Sequence, residues 1–199
     1  MAGDGRLTVS RRGLLAAAAA ATAALAGCSR LTHGALPPAD PPAVSTDPAL
    51  LRIVIFEIGG LDLPFHAGLV IHTPDGVSIF DPAGNWQPQA AQCTRDGDML
   101  RQVTPQGEAA YLSREGLGEA PGHWVVHVFD RPVSAATARL ALARAEAAPP
   151  VPPLHCALGV GTVLADLPGF DFIDPGWVTA DLLQALLGRP GFTYARRDG

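Results

Sequence analysis

The sequence predicts an α+β domain built on a small, mainly antiparallel sheet, and three features lead to that class. The run 51–58 is apolar and rich in β-branched residues, as expected of a buried strand. Two further apolar runs flank Pro74-Asp75-Gly76, which is a strong hairpin signal. Helical patterns rich in alanine and leucine follow only after residue 134. Hairpin strands followed by helices favour an antiparallel sheet that packs against helices.

The element pattern is clear on both sides of an ambiguous stretch, 86–122, in which residues 109–112 suit either a short strand or one helical turn. Ser134 and Thr179 are each placed to cap a helix. Proline-rich residues 149–153 end one helix before Cys156 starts the next. The predicted strands are 51–58, 66–73, 77–81, 123–129 and an edge strand at 192–194, and the predicted helices are 135–147, 156–167 and 180–187.

The first 27 residues have the organisation of a bacterial export signal. Arg11-Arg12 precede an apolar, alanine-rich run, 13–26, which is too short to span a bilayer comfortably. Residues 10–15 resemble the twin-arginine export signature, and Leu25-Ala26-Gly27-Cys28 resembles a lipobox. We therefore expect a lipid on Cys28 as the first residue of the mature protein. A general secretory signal without twin-arginine export, or an uncleaved anchor, are the alternatives.

Such a lipid would attach the chain to the periplasmic face of a bacterial membrane. Ser29 stands where inner-membrane retention favours an aspartate, which points to the outer membrane. Residues 28–49 are small, polar and proline-rich and are predicted to form an extended tether. Residues 50–199 have the length of one domain. The formal net charge of −5, with no lysine-rich block, argues against nucleic acid as a partner.

Cys156 opens a predicted helix, a position that suits a nucleophilic thiolate. The ordinary thiol pKa of about 8.5 leaves a cysteine mostly protonated at neutral pH, and the amides and dipole of a helix N-terminus favour the charged form. A neighbouring imidazolium does the same, and His66, at the start of a predicted strand, is the candidate. Asp81, at the end of the partner strand, is predicted to orient the imidazole, with Asn85 as second choice.

This order of elements resembles the circularly permuted NlpC/P60, or permuted papain-like, superfamily, which includes lecithin:retinol acyltransferase-like and YiiX-like proteins. The resemblance covers 66–81 and 154–168, with histidine before cysteine as in the permuted group. It implies a permuted papain-like fold with Cys156 as nucleophile and His66 as base. Asp81 matches the orienting group less closely, because several relatives carry a second histidine there. The resemblance also implies cleavage or transfer of acyl groups at amide, ester or thioester bonds of cell-wall peptides or lipids.

A non-catalytic envelope lipoprotein that uses the fold for binding or scaffolding is the alternative. In an oxidising periplasm Cys93 and Cys156 would then form a disulfide, or Cys156 would be buried and inert. His155 is not expected to be the base, because adjacent helix positions point in different directions. His66, His72, His123 and His127 lack the spacing of a metal site, so we predict neither a metal nor a cofactor.

Overall fold

The computed structural model describes residues 49–89, 92–113 and 124–198. The predicted export signal, Cys28 and the tether up to residue 48 lie outside these residues, as does His123. Within the described ranges the chain is α+β, as predicted, with a seven-stranded sheet and helices that pack on it. None of the helices in these ranges has the length and apolar character needed to cross a membrane.

The sheet is antiparallel at every pair of neighbouring strands. Its strand order is β4-β5-β3-β2-β1-β6-β7. The strands are β1 (Leu50–Ile58), β2 (Leu63–Thr73), β3 (Gly76–Phe80), β4 (Thr94–Asp96), β5 (Met99–Arg101), β6 (Trp124–Pro132) and β7 (Thr193–Asp198). The helices are α1 (Pro105–Ser113), α2 (Ala135–Ala147), α3 (Cys156–Leu164) and α4 (Thr179–Leu186).

Strand β1 is buried on both faces, which explains its unbroken apolar sequence. Leu51, Ile53 and Ile55 belong to a core cluster that includes residues of α2, α3 and α4. Val54 and Phe56, which alternate with them and face the other way, belong to a second cluster with residues of α1. Helix α1 therefore covers one face of the sheet, and the three later helices cover the other.

The hairpin between β2 and β3 forms at the predicted turn. The Thr73 hydroxyl accepts a hydrogen bond from the Asp75 amide and donates one to the Gly76 carbonyl, both at 3.1 Å. Gly76 has φ 138°, a backbone conformation that side chains other than glycine rarely adopt. Within β2, only Leu69–Thr73 pair with β3. The first residues of β2 therefore have no partner on the β3 side, although β1 pairs with them on the other side.

Several predicted boundaries and the ambiguous stretch change in the structure. Strands β4 and β5 and helix α1 occupy the stretch 86–122, and residues 109–112 are helical. Ser134 caps α2 as predicted, since its hydroxyl accepts from the Thr137 amide at 3.1 Å. Helix α3 ends at Leu164 rather than 167. The left-handed backbone of Asp166, with φ 61°, is incompatible with a continuing helix.

Buried charges fix helix α1 on the sheet. The guanidinium of Arg52 makes two hydrogen bonds to Asp130, at 2.6 and 2.7 Å, and a third to Glu108 of α1. His72 Nε2 lies 3.1 Å from the same Glu108 carboxylate. Because these groups are mostly buried, breaking one pair leaves an uncompensated charge, which costs about 3–5 kcal/mol. The network thereby holds the position of Tyr111, which is also on α1.

Candidate active site

Cys156 lies at the first residue of α3, as the sequence predicts, and is 3 % exposed. His155 is the N-cap residue, and its side chain makes no capping hydrogen bond. The first intrahelical bond runs from the Gly159 amide to the His155 carbonyl, at 2.9 Å. The amides before Gly159 in this first turn have no acceptor within the helix. They form a positive end beside the thiol, which favours a thiolate and can bind an oxyanion.

The thiol sits against the part of β2 that β3 leaves unpaired. Cys156 Sγ lies 3.9 Å from the Phe65 carbonyl oxygen, and the Ala67 amide donates a hydrogen bond to the sulfur. Both groups flank His66 on the same edge of the strand, because backbone groups two residues apart point in the same direction. The early end of β3 therefore creates the space that the N-terminus of α3 fills.

Thr179 is a neighbour of the thiol that the sequence analysis assigned to a different role. It was predicted to cap α4, but the N-cap is Val178 and Thr179 is the first residue of the helix. Its hydroxyl oxygen lies 3.8 Å from Cys156 Sγ, and the residue is buried. The hydroxyl hydrogen bond helps to lower the pKa of Cys156. A threonine after a loop is an ordinary cap signal, so nothing in the local sequence indicates this contact.

His66 lies at the start of β2 between the thiol and a carboxylate. Its Nε2 atom is 2.7 Å from Asp81 Oδ1, and its ring stacks on Phe56 with the centroids 5.8 Å apart. An ionised carboxylate only accepts hydrogen bonds, so Nε2 carries a proton and Nδ1 is the ring nitrogen that Asp81 leaves available. Burial alone would lower the pKa of His66. The Asp81 charge and hydrogen bond, together with Cys156, outweigh burial and raise that pKa to about 9.

Asp81 is fully buried, and its carboxylate accepts three hydrogen bonds. Besides His66, the donors are the Tyr111 hydroxyl, 2.9 Å from Oδ1, and the Arg95 guanidinium on Oδ2. Burial alone would raise the pKa of Asp81. The charge and hydrogen bond of His66, then Arg95 and Tyr111, hold the pKa well below its usual range. The hairpin thus brings Asp81 to His66 as predicted, and the second choice, Asn85, is exposed.

The two described cysteines differ in the electrostatics of their surroundings. Burial would raise the pKa of Cys156, but the hydrogen bond and charge of His66 lower it, helped by the Ala67 amide and Thr179. Burial raises the pKa of Cys93 to about 12. Both cysteines are free and belong to different core clusters. The predicted alternative of a Cys93–Cys156 disulfide is therefore wrong for this structure, because packing keeps the two thiols in separate cores.

His155 and His127 each have partners away from the thiol. His155 stacks on Trp177, with the centroids 5.5 Å apart, and its Nδ1 atom lies 2.9 Å from the Pro153 carbonyl. His127 lies between Glu57, at 3.2 Å, and Tyr194, at 3.0 Å. Across residues 49–89, 92–113 and 124–198 no three histidine, cysteine or acidic side chains gather in a way that could hold a metal ion.

Gly68 leaves space for the Tyr111 hydroxyl that donates to Asp81, and Gly68→Ala tests whether this space is needed. A methyl group at this position would overlap the Tyr111 hydroxyl, which donates to Asp81. We expect Gly68→Ala to lower the free energy of unfolding by about 1–3 kcal/mol, as overpacking commonly does, and to slow alkylation of Cys156. Urea unfolding and intact-mass kinetics measure the two effects. In the double variant Gly68→Ala/Tyr111→Phe, removal of the hydroxyl should recover part of the stability; no recovery would show that the clash lies elsewhere.

Comparison of the chain with protein-family models, with curated proteins and with solved structures finds no match.

Proposed function

We propose that the chain is a lipid-anchored, extracytoplasmic thiol hydrolase or acyltransferase that acts on an amide or ester bond. The observation that carries this proposal is the convergence of Cys156 at the start of α3, His66 in β2 and Asp81 directly after β3. A thiol at a helix N-terminus faces an imidazole, and a buried carboxylate orients that imidazole. Nucleophile, base and orienting group stand in the order that covalent acyl transfer requires.

The raised pKa of His66 and the lowered pKa of Cys156 favour a thiolate–imidazolium pair at neutral pH. The thiolate attacks the substrate carbonyl carbon, and the resulting oxyanion faces the first-turn amides of α3. As the C–N or C–O bond breaks, His66 Nδ1 gives its proton to the leaving amine or alcohol, which leaves a thioester on Cys156. Water, or an acceptor hydroxyl or amine, then attacks the thioester and returns a proton to His66, and the thiolate leaves.

Two features of the sequence support the wider setting of this proposal. The order of histidine strand, hairpin and later cysteine helix supports membership of the permuted NlpC/P60, or permuted papain-like, superfamily, whose substrates include cell-wall peptides and lipids. The basic pair, apolar run and lipobox ending at Cys28 support an anchor on the periplasmic face of a bacterial membrane, in our proposal the outer one. A mature protein that begins at a lipid-modified Cys28 is the expected product.

The pH dependence of alkylation tests the ion pair. If Cys156 and His66 form a thiolate–imidazolium pair, iodoacetamide should modify Cys156 well below the pH at which an ordinary thiol ionises, at a rate that changes little from mildly acidic to neutral pH, because the pKa of Cys156 is lowered by His66. In His66→Ala the rate should fall at pH 6 by about 10- to 100-fold and rise towards pH 9, since the thiol returns to an ordinary or raised pKa. Peptide mass spectrometry at a series of times gives the rate at each cysteine.

Cys93 is the internal control for this experiment, because its buried thiol with a pKa of about 12 should stay unmodified until the protein unfolds. A non-catalytic scaffold would give a different result. It predicts that Cys156 is no more reactive than Cys93, and that His66→Ala leaves the rate at Cys156 unchanged. Either of these outcomes would refute the thiol mechanism.

A further inference from the structure

Exposed apolar side chains are concentrated around the candidate thiol. The described residues include nine large apolar side chains that are exposed, and six of them lie in three segments that contain or adjoin a residue next to Cys156, namely Phe65, His155 or Thr179. We call these six the apolar rim: Leu61 (67 % exposed), Leu63 (50 %), Phe65 (45 %), Leu154 (70 %), Trp177 (67 %) and Val178 (51 %). Soluble proteins rarely collect such side chains in one place without a binding partner.

The three segments meet at the thiol from different elements. The Phe65 carbonyl oxygen lies 3.9 Å from Cys156 Sγ, and the Phe65 ring lies 6.3 Å from that of Trp124. Leu154 precedes Cys156 by two residues. Trp177 stacks on His155, and Val178 directly precedes Thr179, whose hydroxyl is 3.8 Å from the sulfur. A surface that contacts all three segments would therefore lie near the thiol of Cys156.

Leu154 is an independent indication that the apolar rim serves a purpose. Its backbone is left-handed, with φ 67°, a conformation that favours glycine or asparagine over a bulky side chain. The same side chain is 70 % exposed to water. The left-handed backbone and the exposure to water are both unfavourable for a leucine that has no binding partner. A contact of Leu154 with a surface outside the domain explains both better.

The charges of the three segments identify the kind of partner. Residues 61–65, 154–155 and 177–178 contain one acidic residue, Asp62, and no arginine, while the sequence has a net charge of −5. A partner that relies on negative charge, such as an acidic peptide, finds no opposite charge there. Binding to a bilayer with zwitterionic headgroups requires no charged residues on the protein. Tryptophan is also enriched at bilayer interfaces.

The chain before the described domain is long enough for such a contact. The predicted tether enters at Ala49, before the end of β1 that pairs with His72, whereas the apolar rim adjoins the other end, near Ile58. The segment from Cys28 to Ala49 spans up to about 70 Å when extended, against about 30 Å for β1. If Cys28 carries the proposed lipid, this length is enough for either end of β1 to reach the same membrane.

We propose that the apolar rim docks on a phospholipid bilayer surface and places the entrance to Cys156 at the lipid headgroups. This contact is separate from the lipid on Cys28 and needs no thiol chemistry. It would give a lipid-embedded acyl bond direct access to the nucleophile.

Tryptophan fluorescence provides the test, because Trp177 is 67 % exposed whereas Trp86 and Trp124 are buried. Protein isolated as the cell produces it is mixed with phosphatidylcholine vesicles, either plain or brominated on the acyl chains near the headgroups. Bromine quenches only an indole that enters the bilayer. We expect quenching by the brominated vesicles alone, and loss of most of it in Trp177→Phe and in the double variant Leu61→Ser/Leu154→Asn.

Leu140→Ser is the matched control, since Leu140 is an exposed leucine (43 %) on α2 outside the rim, and it should keep the full quenching. Equal emission of Trp177 in plain and brominated vesicles would overturn the proposal. A dimer that forms without lipid and that dissociates in the rim variants would also overturn it, because the apolar rim would then bind a second copy of the chain. Alkylation of Cys156 in the rim variants separates failed docking from a failed thiol site.

Discussion

Replacing Cys156 with alanine is expected to abolish covalent reactivity at the site. Hydrolysis of an activated ester such as p-nitrophenyl acetate should fall by about 10³-fold or more, because the substitution removes the proposed nucleophile. In the unmodified protein, intact-mass analysis at short times should detect an acetyl group on Cys156. The substitution removes only the sulfur atom, so its effect on the free energy of unfolding should be small although Cys156 is buried.

Cys93→Ala is the matched control for this prediction. Both residues are buried cysteines, but the pKa of Cys93 is raised to about 12, whereas that of Cys156 is lowered by His66. The control variant should keep the ester hydrolysis and the acetyl adduct. An adduct that persists in Cys156→Ala, or disappears in Cys93→Ala, would move the nucleophile away from α3.

Asp81→Asn is the second large effect, and it should change both reactivity and stability. The substitution removes the negative charge that keeps His66 protonated, so burial then lowers the pKa of His66. Between the new, lower pKa of His66 and the former value of about 9, the imidazolium is lost, and with it the interaction that lowers the pKa of Cys156. We expect alkylation of Cys156 at pH 6 to slow by roughly 100-fold, with the largest deficit at low pH and recovery as pH rises.

The same substitution leaves Arg95 without its carboxylate. The Arg95 side chain is 16 % exposed, and Asp81 is fully buried. Removing one member of such a pair costs about 3–5 kcal/mol in the free energy of unfolding. Urea unfolding measures this loss, and alkylation is measured at urea concentrations where the variant stays folded, so the two effects are separated.

Asp75→Asn is the control, because Asp75 pairs with Arg139 in an exposed ion pair at 2.9 Å. It carries the same chemical change on the surface of the same hairpin, and it should leave stability and alkylation essentially unchanged. If Asp81→Asn alkylated at the unmodified rate at pH 6, the carboxylate would have no role in maintaining the ion pair.

Local sequence signals predicted the part of the site that the β2–β3 hairpin builds. Turn residues at 74–76 set the register, in which Leu69 pairs with Phe80, so Asp81 continues towards His66. The proline-rich connection predicted that a helix starts at Cys156. These signals act over a few residues, where backbone preference and turn chemistry dominate.

The donors to Asp81 and the hydroxyl beside the thiol could not be predicted in the same way. Tyr111 and Arg95 come from the stretch 86–122, whose short elements show neither a clear alternation nor a helical face. Thr179 has the local pattern of a helix cap, although its hydroxyl faces Cys156. Their positions depend on packing between segments that are far apart in the chain, and no single-sequence pattern records such packing.

The sequence by itself determined the α+β class, the hairpin that carries His66 and Asp81, and the helix that Cys156 opens. Periodicity, turn residues and helix-stop signals are properties of neighbouring residues, so they can be read without the fold. Only the tertiary structure decided that β3 ends early enough for the thiol to reach the edge of β2. It also decided the pKa shifts and the apolar rim, because burial and electrostatic neighbours arise from contacts between distant segments.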